Sequence, residues 1–108
     1  MTEYKRVARL ADLATGQRLA VWISGVKVLL LSIGGTIYAV DEQCTHMKCS
    51  LLTGPVRGTI VACPCHQAEF DLRNGRVLKG PATVDLPTYA VKVEGDEVLV
   101  EEKPPEIV

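Results

Sequence analysis

Four side chains that bind metals lie in two short segments of this chain. Cys44 and His46 are separated by one residue, and Cys63 and His66 are separated by two. The sixteen residues 47–62 lie between the two segments. Cysteine thiolates and histidine imidazoles are ligands for zinc, copper and iron. Because each segment supplies one cysteine and one histidine, the sequence predicts one metal centre held between two loops.

The pairing of the ligands bears on the kind of metal centre. A structural zinc site usually opens with two cysteines and closes with two histidines, with about two to five residues inside each pair. Here each half-site mixes the two residue types, and only one residue separates the first pair. The mixed pairing favours a centre with two unlike metal positions. The alternatives are a zinc site of two cysteines and two histidines, and a site that has lost its metal.

Two longer motifs contain these ligands. Residues 44–49 read CTHMKC, and residues 63–66 read CPCH. They resemble the two cluster-binding boxes of the Rieske [2Fe–2S] family, and the resemblance covers roughly residues 4–101. In Rieske centres two imidazoles replace two thiolates on one of the two irons. The resemblance therefore implies that the cluster is bound by Cys44, His46, Cys63 and His66.

Further residues near the boxes acquire roles from the same resemblance. Cys49 and Cys65 match an extra pair that bridges the loops in the Rieske proteins of cytochrome complexes, which implies a disulfide. Typical dioxygenase ferredoxins of the family lack that pair. Taken alone, these cysteines could also be reduced thiols, because disulfides are rare in a reducing cytosol. Pro81 matches a proline of a third loop that covers the cluster, and Met47 is assigned a second covering role.

The residues after the second box differ from those of the high-potential members of the family. Those proteins carry Gly-Ser-x-Tyr, and the serine and tyrosine hydroxyls donate to cluster sulfurs. This chain carries Gln67, Ala68, Glu69 and Phe70 instead. Hydrogen bonds to the sulfurs favour the more negative, reduced form. The absence of hydroxyls at Ala68 and Phe70 therefore predicts a low reduction potential, at or below zero.

The composition is that of one globular domain, residues 1–108. Hydrophobic residues make up 47% and charged residues 23% of the chain, which is typical of water-soluble domains. A net charge of −1 offers no electrostatic case for binding nucleic acid or an anionic membrane. The longest apolar stretch, around residues 26–33, is too short to span a bilayer, and residues 1–6 lack the apolar core of a signal peptide. We therefore expect a cytoplasmic protein without a membrane anchor.

Strand-forming residues separated by glycine turns predict an all-β domain. Apolar runs flank turns at Ser24-Gly25 and Gly34-Gly35, and further hairpins are predicted at Asn74-Gly75 and Gly95-Asp96. Trp22 is expected in the core or at its rim. The resemblance implies three stacked antiparallel sheets, with a cluster-binding subdomain at approximately 42–82. A tail at approximately 102–108 is expected to be mobile.

The sequence offers no hydrolytic or acid–base constellation and no nucleotide-binding glycine motif. We expect the carboxylates near the boxes to be solvated loop residues: Asp41, Glu42, Glu69 and Asp71. The resemblance to Rieske proteins therefore implies a soluble one-electron carrier, not itself an enzyme, between a reductase and a terminal acceptor such as an oxygenase. The alternatives are a Rieske-like small subunit of a larger redox enzyme, of the nitrite reductase type, and a zinc-stabilised binding module.

Overall fold

The computed structural model describes residues 3–13, 17–23, 25–45, 49–80 and 83–102. Within these ranges, eleven strands and one short 3-10 helix, Leu10–Leu13, make up the regular structure. The strands in chain order are β1 (Glu3–Arg9), β2 (Arg18–Ile23), β3 (Val26–Ile33), β4 (Thr36–Asp41), β5 (Val56–Arg57), β6 (Ile60–Ala62), β7 (Glu69–Asp71), β8 (Val77–Lys79), β9 (Thr88–Tyr89), β10 (Val91–Glu94) and β11 (Glu97–Glu102). The prediction of an all-β chain is confirmed.

The strands form three antiparallel sheets. One sheet has the order β1-β11-β10, the second β2-β3-β4-β9, and the third β5-β6-β7-β8. The third sheet is built from one continuous segment, residues 56–79, whereas the first sheet joins the beginning of the chain to its last two strands. The hairpins β2–β3, β3–β4, β7–β8 and β10–β11 occur at the predicted turns. The three-sheet architecture implied by the resemblance is therefore confirmed.

Strand β3 is buried on both faces and separates two hydrophobic clusters. Neighbouring side chains of a strand point to opposite faces. Val28 and Leu30 accordingly enter one cluster, with Val98 and Val100 of β11. Leu29 and Leu31 enter the other cluster, together with the two cysteines that are predicted ligands. Burial of each such aliphatic side chain stabilises the folded state by about 1.5–3 kcal/mol. Because β3 supplies side chains to both clusters, its sheet connects the two halves of the core.

The prediction that Trp22 lies in or beside the core is wrong. Its side chain is 64% exposed, whereas the adjacent Ile23 is only 2% exposed. The alternation of side chains along edge strand β2 turns Ile23 inward and Trp22 outward. The Lys27 ammonium lies 5.9 Å from the centre of the indole ring, within the range of a cation–π contact.

The prediction of solvated carboxylates is wrong for Glu42 and Asp71, which are both buried. Glu42 lies 3.9 Å from the Lys27 ammonium. Asp71 accepts hydrogen bonds from the Arg73 guanidinium and from the Arg73 backbone N–H. These bonds, the side-chain bonds above all, lower the pKa of Asp71, so this carboxylate is ionised at neutral pH and stabilises the turn after β7.

The other two carboxylates also belong to the strands. Asp41 ends β4 and accepts a hydrogen bond of 2.5 Å from the Tyr89 hydroxyl. Burial and this bond both raise the pKa of Tyr89. Glu69 begins β7 and is half-buried, 3.9 Å from the Arg57 guanidinium. The acidic residues around the boxes therefore hold strands and turns in place.

The predicted mobile tail begins at a residue that pairs in a sheet. Strand β11 reaches Glu102, which lies opposite Glu3 of β1. The remaining tail residues, 103–108, lie outside the described residues.

Candidate metal centre

Two loops carry the predicted ligands. The first loop, residues 42–55, connects β4 to β5, and the second loop, residues 63–68, connects β6 to β7. Of the residues with predicted roles, His46, Met47 and Pro81 lie outside the described residues. The structure therefore bears directly on the cysteines, His66, Ala68 and Phe70.

The first loop folds back on itself through backbone hydrogen bonds. The N–H of Leu51 donates to the carbonyl of Glu42 over 2.7 Å, and the N–H of Cys44 donates to the carbonyl of Cys49 over 2.8 Å. The Arg18 guanidinium donates to the carbonyl of Leu51 over 3.1 Å. These bonds bring the two halves of the loop together and bury Cys44, which is 1% exposed.

The second loop is a tight turn around Cys63. The N–H of Cys63 donates to the carbonyl of Ala68 over 2.7 Å, and the N–H of Gln67 donates to the carbonyl of Cys63 over 2.8 Å. Gln67 has a φ of 61° and is the only non-glycine residue with positive φ in the described part of the chain. Non-glycine residues seldom adopt this conformation, and such residues cluster at functional sites. No sequence signal marked Gln67 as this residue.

A glycine allows the two loops to approach each other. A Cβ atom on Gly54 would lie 2.1 Å from the carbonyl oxygen of Ala62, which directly precedes Cys63. The N–H of Ala62 donates to the carbonyl of Pro55 over 2.9 Å. The end of the first loop therefore packs against the strand that leads into the second. No sequence signal marked Gly54 as the site of this close contact.

A side-chain hydrogen bond joins the first loop to the segment that follows the predicted third loop. The Thr45 hydroxyl donates to the carbonyl of Val84 over 2.7 Å. Thr45 lies between two predicted ligands, and Val84 lies three residues after the predicted covering residue Pro81. This bond places the chain downstream of Pro81 beside the first loop.

The donor atoms in the described loops fit a cluster with mixed ligands. Cys44 and Cys63 are buried, belong to the same hydrophobic cluster and are not part of a disulfide. His66 is exposed. Two buried sulfurs and an exposed imidazole match an arrangement in which thiolates bind an inner iron and imidazoles bind an outer one.

The remaining two cysteines form the disulfide that the resemblance implied. Cys49 and Cys65 are bonded to each other, and the bond joins the first loop to the second. Cys49 is half-buried, whereas Cys65 is exposed. A cross-link of this kind limits how far the loops can separate.

Alkylation of the denatured protein without reductant should therefore modify two thiols per chain, since the disulfide protects the other two of the four cysteines. Alkylation after reduction should modify all four. In Cys49→Ser the count without reductant should rise to three, because Cys65 loses its partner. Mass spectrometry of the intact chain measures the count, and four modified thiols in the unreduced wild type would contradict the bridge.

Among the residues that the structure describes, none forms a helix long and apolar enough to cross a membrane.

Comparison with known proteins shows the family to which the chain belongs. The family described as the Rieske [2Fe–2S] domain matches residues 3–90. The ferredoxin component of the naphthalene 1,2-dioxygenase system of Pseudomonas aeruginosa is 37% identical over 92 residues, which are 85% of this chain and 88% of that protein. The ferredoxin component of biphenyl 2,3-dioxygenase from Rhodococcus jostii is 34% identical over 96 residues, 89% of this chain and 90% of that protein.

A solved structure has the same fold over nearly the whole chain. The ferredoxin of carbazole 1,9a-dioxygenase from Nocardioides aromaticivorans superposes with a TM-score of 0.87 and 31% identity, covering 93% of this chain and 98% of that one. The chain belongs to the Rieske [2Fe–2S] family, whose cofactor is a cluster of two irons and two sulfides.

Proposed function

We propose that this chain is a cytoplasmic one-electron carrier that passes electrons from a reductase to a terminal oxygenase. It acts as a component of an oxidoreductase system and not as an enzyme by itself. Two relatives bear the names of ferredoxin components of aromatic-ring dioxygenases. A further structural neighbour, with a TM-score of 0.85 and 30% identity, is a complex of reduced oxygenase and oxidised ferredoxin in carbazole 1,9a-dioxygenase. These names favour a carrier over a zinc-stabilised module.

The observation that carries the proposal is the contrast between buried thiols and an exposed imidazole. We assign Cys44, His46, Cys63 and His66 as the ligands. When bound, the cluster supplies reversible one-electron chemistry. The two cysteines fix it to the protein core, where close packing limits movement. His66 faces solvent and offers a short route to a partner protein.

The remaining roles concern how the loops shield the site. We propose that Met47 and Pro81 cover the cluster, and that residues 42–82 act as one cluster-binding subdomain. The Thr45–Val84 hydrogen bond supports this arrangement, because it ties the segment after Pro81 to the first loop. The continuous third sheet, residues 56–79, supports it as well.

The reduction potential should be low because Ala68 and Phe70 have no hydroxyl groups. Both side chains are completely buried and lie in the same hydrophobic cluster as Cys63. If a hydrogen bond to sulfur favours the reduced state by about 1–2 kcal/mol, its absence lowers a one-electron potential by roughly 40–90 mV. Within the Rieske range of about −150 to +300 mV, we expect a value at or below zero.

Ala68→Ser and Phe70→Tyr should each raise the potential if the new hydroxyl reaches a sulfur. Protein-film voltammetry measures the change. Ala39→Ser is a matched control, because Ala39 is also buried but lies in the other hydrophobic cluster. The reduction potential of Ala39→Ser should equal that of the wild type. A wild-type potential near the top of the Rieske range would contradict the assigned role of Ala68 and Phe70.

Electron transfer to an oxygenase tests the proposed function. The purified chain, reduced with dithionite, is mixed anaerobically with the oxidised terminal oxygenase of a carbazole or naphthalene dioxygenase. We expect the visible spectrum of the chain to return to the oxidised form much faster than in buffer. Bovine serum albumin in place of the oxygenase controls for non-specific oxidation. Equal oxidation rates with oxygenase and with albumin would contradict transfer to these oxygenases. A purified protein that is colourless and contains zinc would contradict the proposal that the chain carries electrons.

A further inference from the structure

Three cysteine sulfurs lie together between the two loops. The Sγ atoms of Cys49, Cys63 and Cys65 are all within 4.8 Å of one another. Two of them form the disulfide, and the third belongs to a thiol whose residue is completely buried. The hydrogen bonds on both sides of Cys63, to Ala68 and from Gln67, hold its backbone in the turn. The backbone of the second loop therefore holds this thiol beside the disulfide that joins the two loops.

We propose that, before the cluster is bound, Cys63 exchanges with the disulfide and thereby controls whether the site can accept iron. The Cys63 thiolate attacks the sulfur of Cys49. A Cys49–Cys63 bond forms, the Cys49–Cys65 bond breaks, and the electron pair leaves on the Cys65 sulfur. The proton that Cys63 loses to solvent is matched by one that Cys65 takes up. The exchange consumes no oxidant and no reductant.

The different exposure of the two disulfide residues favours attack on Cys49. Cys65 is exposed, so the departing thiolate is released into water, whereas Cys49 is half-buried. A charged group is stabilised by hydration and destabilised by burial. Burial of Cys63 therefore slows the attack, whereas exposure of Cys65 favours its departure as the leaving thiolate. The new Cys49–Cys63 bond also joins the first loop to the second, as the original one does. The loops are therefore cross-linked both before and after the exchange.

The consequence concerns cluster assembly and rests on the proposed role of Cys63 as a ligand. In the exchanged chain the sulfur of Cys63 is consumed in a disulfide and cannot bind iron. In the loaded chain the same sulfur is engaged by iron and cannot attack the disulfide. Metal binding and exchange thus compete for one atom, and a thiol reductant is required to return an exchanged chain to a form that can be loaded.

The location of the remaining thiol tests the exchange. Cys44→Ser leaves three cysteines, so the unreduced chain has a single thiol, at Cys63 before exchange and at Cys65 after it. The folded variant is incubated anaerobically, then denatured in acid and labelled with N-ethylmaleimide. Mass spectrometry locates the label, since fragmentation between Cys63 and Pro64 distinguishes the two cysteines of the second loop. We expect label at Cys65 to increase with incubation time to a plateau.

The other outcomes each decide a part of the proposal. Label that stays on Cys63 throughout would overturn the exchange, and label on Cys49 would overturn the direction of attack. In the matched variant Cys63→Ser, the label should stay on Cys44, because the attacking thiol is missing. If Cys44→Ser does not fold, the same mapping on wild-type chain stripped of its cluster decides the question, with Cys65 labelled if exchange occurs.

Iron uptake tests the control of loading separately. Stripped wild-type chain that has reached the plateau is offered ferrous iron and sulfide, with and without prior dithiothreitol treatment. We expect the untreated sample to bind less iron per chain than the treated sample. The fractional decrease should equal the fraction of chains labelled at Cys65. Equal uptake would overturn the control of loading. Failure of both samples to take up any iron would instead contradict the proposed ligand set, so the two failures are distinguishable.

Discussion

Gly75→Ala should lower the free energy of unfolding by several kcal/mol or prevent folding altogether. Gly75 has a φ of 75°, and a Cβ atom there would lie 1.9 Å from the carbonyl oxygen of Leu86. Gly75 also donates to the carbonyl of Asp71 and accepts from the N–H of Leu86. A left-handed conformation costs alanine about 1–2 kcal/mol, and overpacking typically costs about 1–3 kcal/mol more.

The matched control for this substitution is Gly58→Ala. Gly58 also has a positive φ, 60°, but a Cβ atom there would meet nothing within 4 Å. This variant should lose only the left-handed cost of about 1–2 kcal/mol. Urea unfolding followed by circular dichroism measures both variants. If both variants lost the same unfolding free energy, the segment at Leu86 would move aside at little cost. The close approach at Gly75 would then not explain the destabilisation.

Cys63→Ser should abolish cluster binding. We expect about two irons and two acid-labile sulfides per wild-type chain and none in the variant, because a buried serine hydroxyl is a poor substitute for a thiolate ligand. Cluster binding is coupled to folding, so the variant should also unfold at a lower urea concentration than the loaded wild type. Iron and sulfide assays, with the visible absorption spectrum, measure the loss.

Cys65→Ser is the matched control in the same loop. It removes a cysteine only two positions away whose sulfur is in the disulfide and not in the proposed ligand set. The variant should still bind iron, because the backbone bond from Cys44 to Cys49 continues to close the first loop. Its cluster should be lost faster, since the loops are no longer cross-linked. Full iron content in Cys63→Ser, or zinc in place of iron in the wild type, would contradict the ligand assignment.

Local patterns in the sequence were enough to predict the strands and the candidate centre. Turn chemistry depends on neighbouring residues, so the pairs Ser24-Gly25 and Gly34-Gly35 located the two hairpins of the sheet that contains β3. Ligand spacing is likewise local, and the two boxes brought the cysteines and histidines into one hypothesis. The disulfide came from the resemblance, because pairing over a separation of 16 residues cannot be deduced from the cysteines alone.

Packing between distant segments decided the rest. The exposure of Trp22 and the burial of Glu42 depend on which face of a strand or loop meets another sheet, and no local pattern specifies that contact. The close approaches at Gly54 and Gly75 involve backbone atoms of other segments. The sequence by itself determined which atoms could bind the metal centre, because ligand chemistry belongs to residue type. Only the tertiary structure decided that the Cys63 thiol lies beside the disulfide, because that distance is set by how two loops pack.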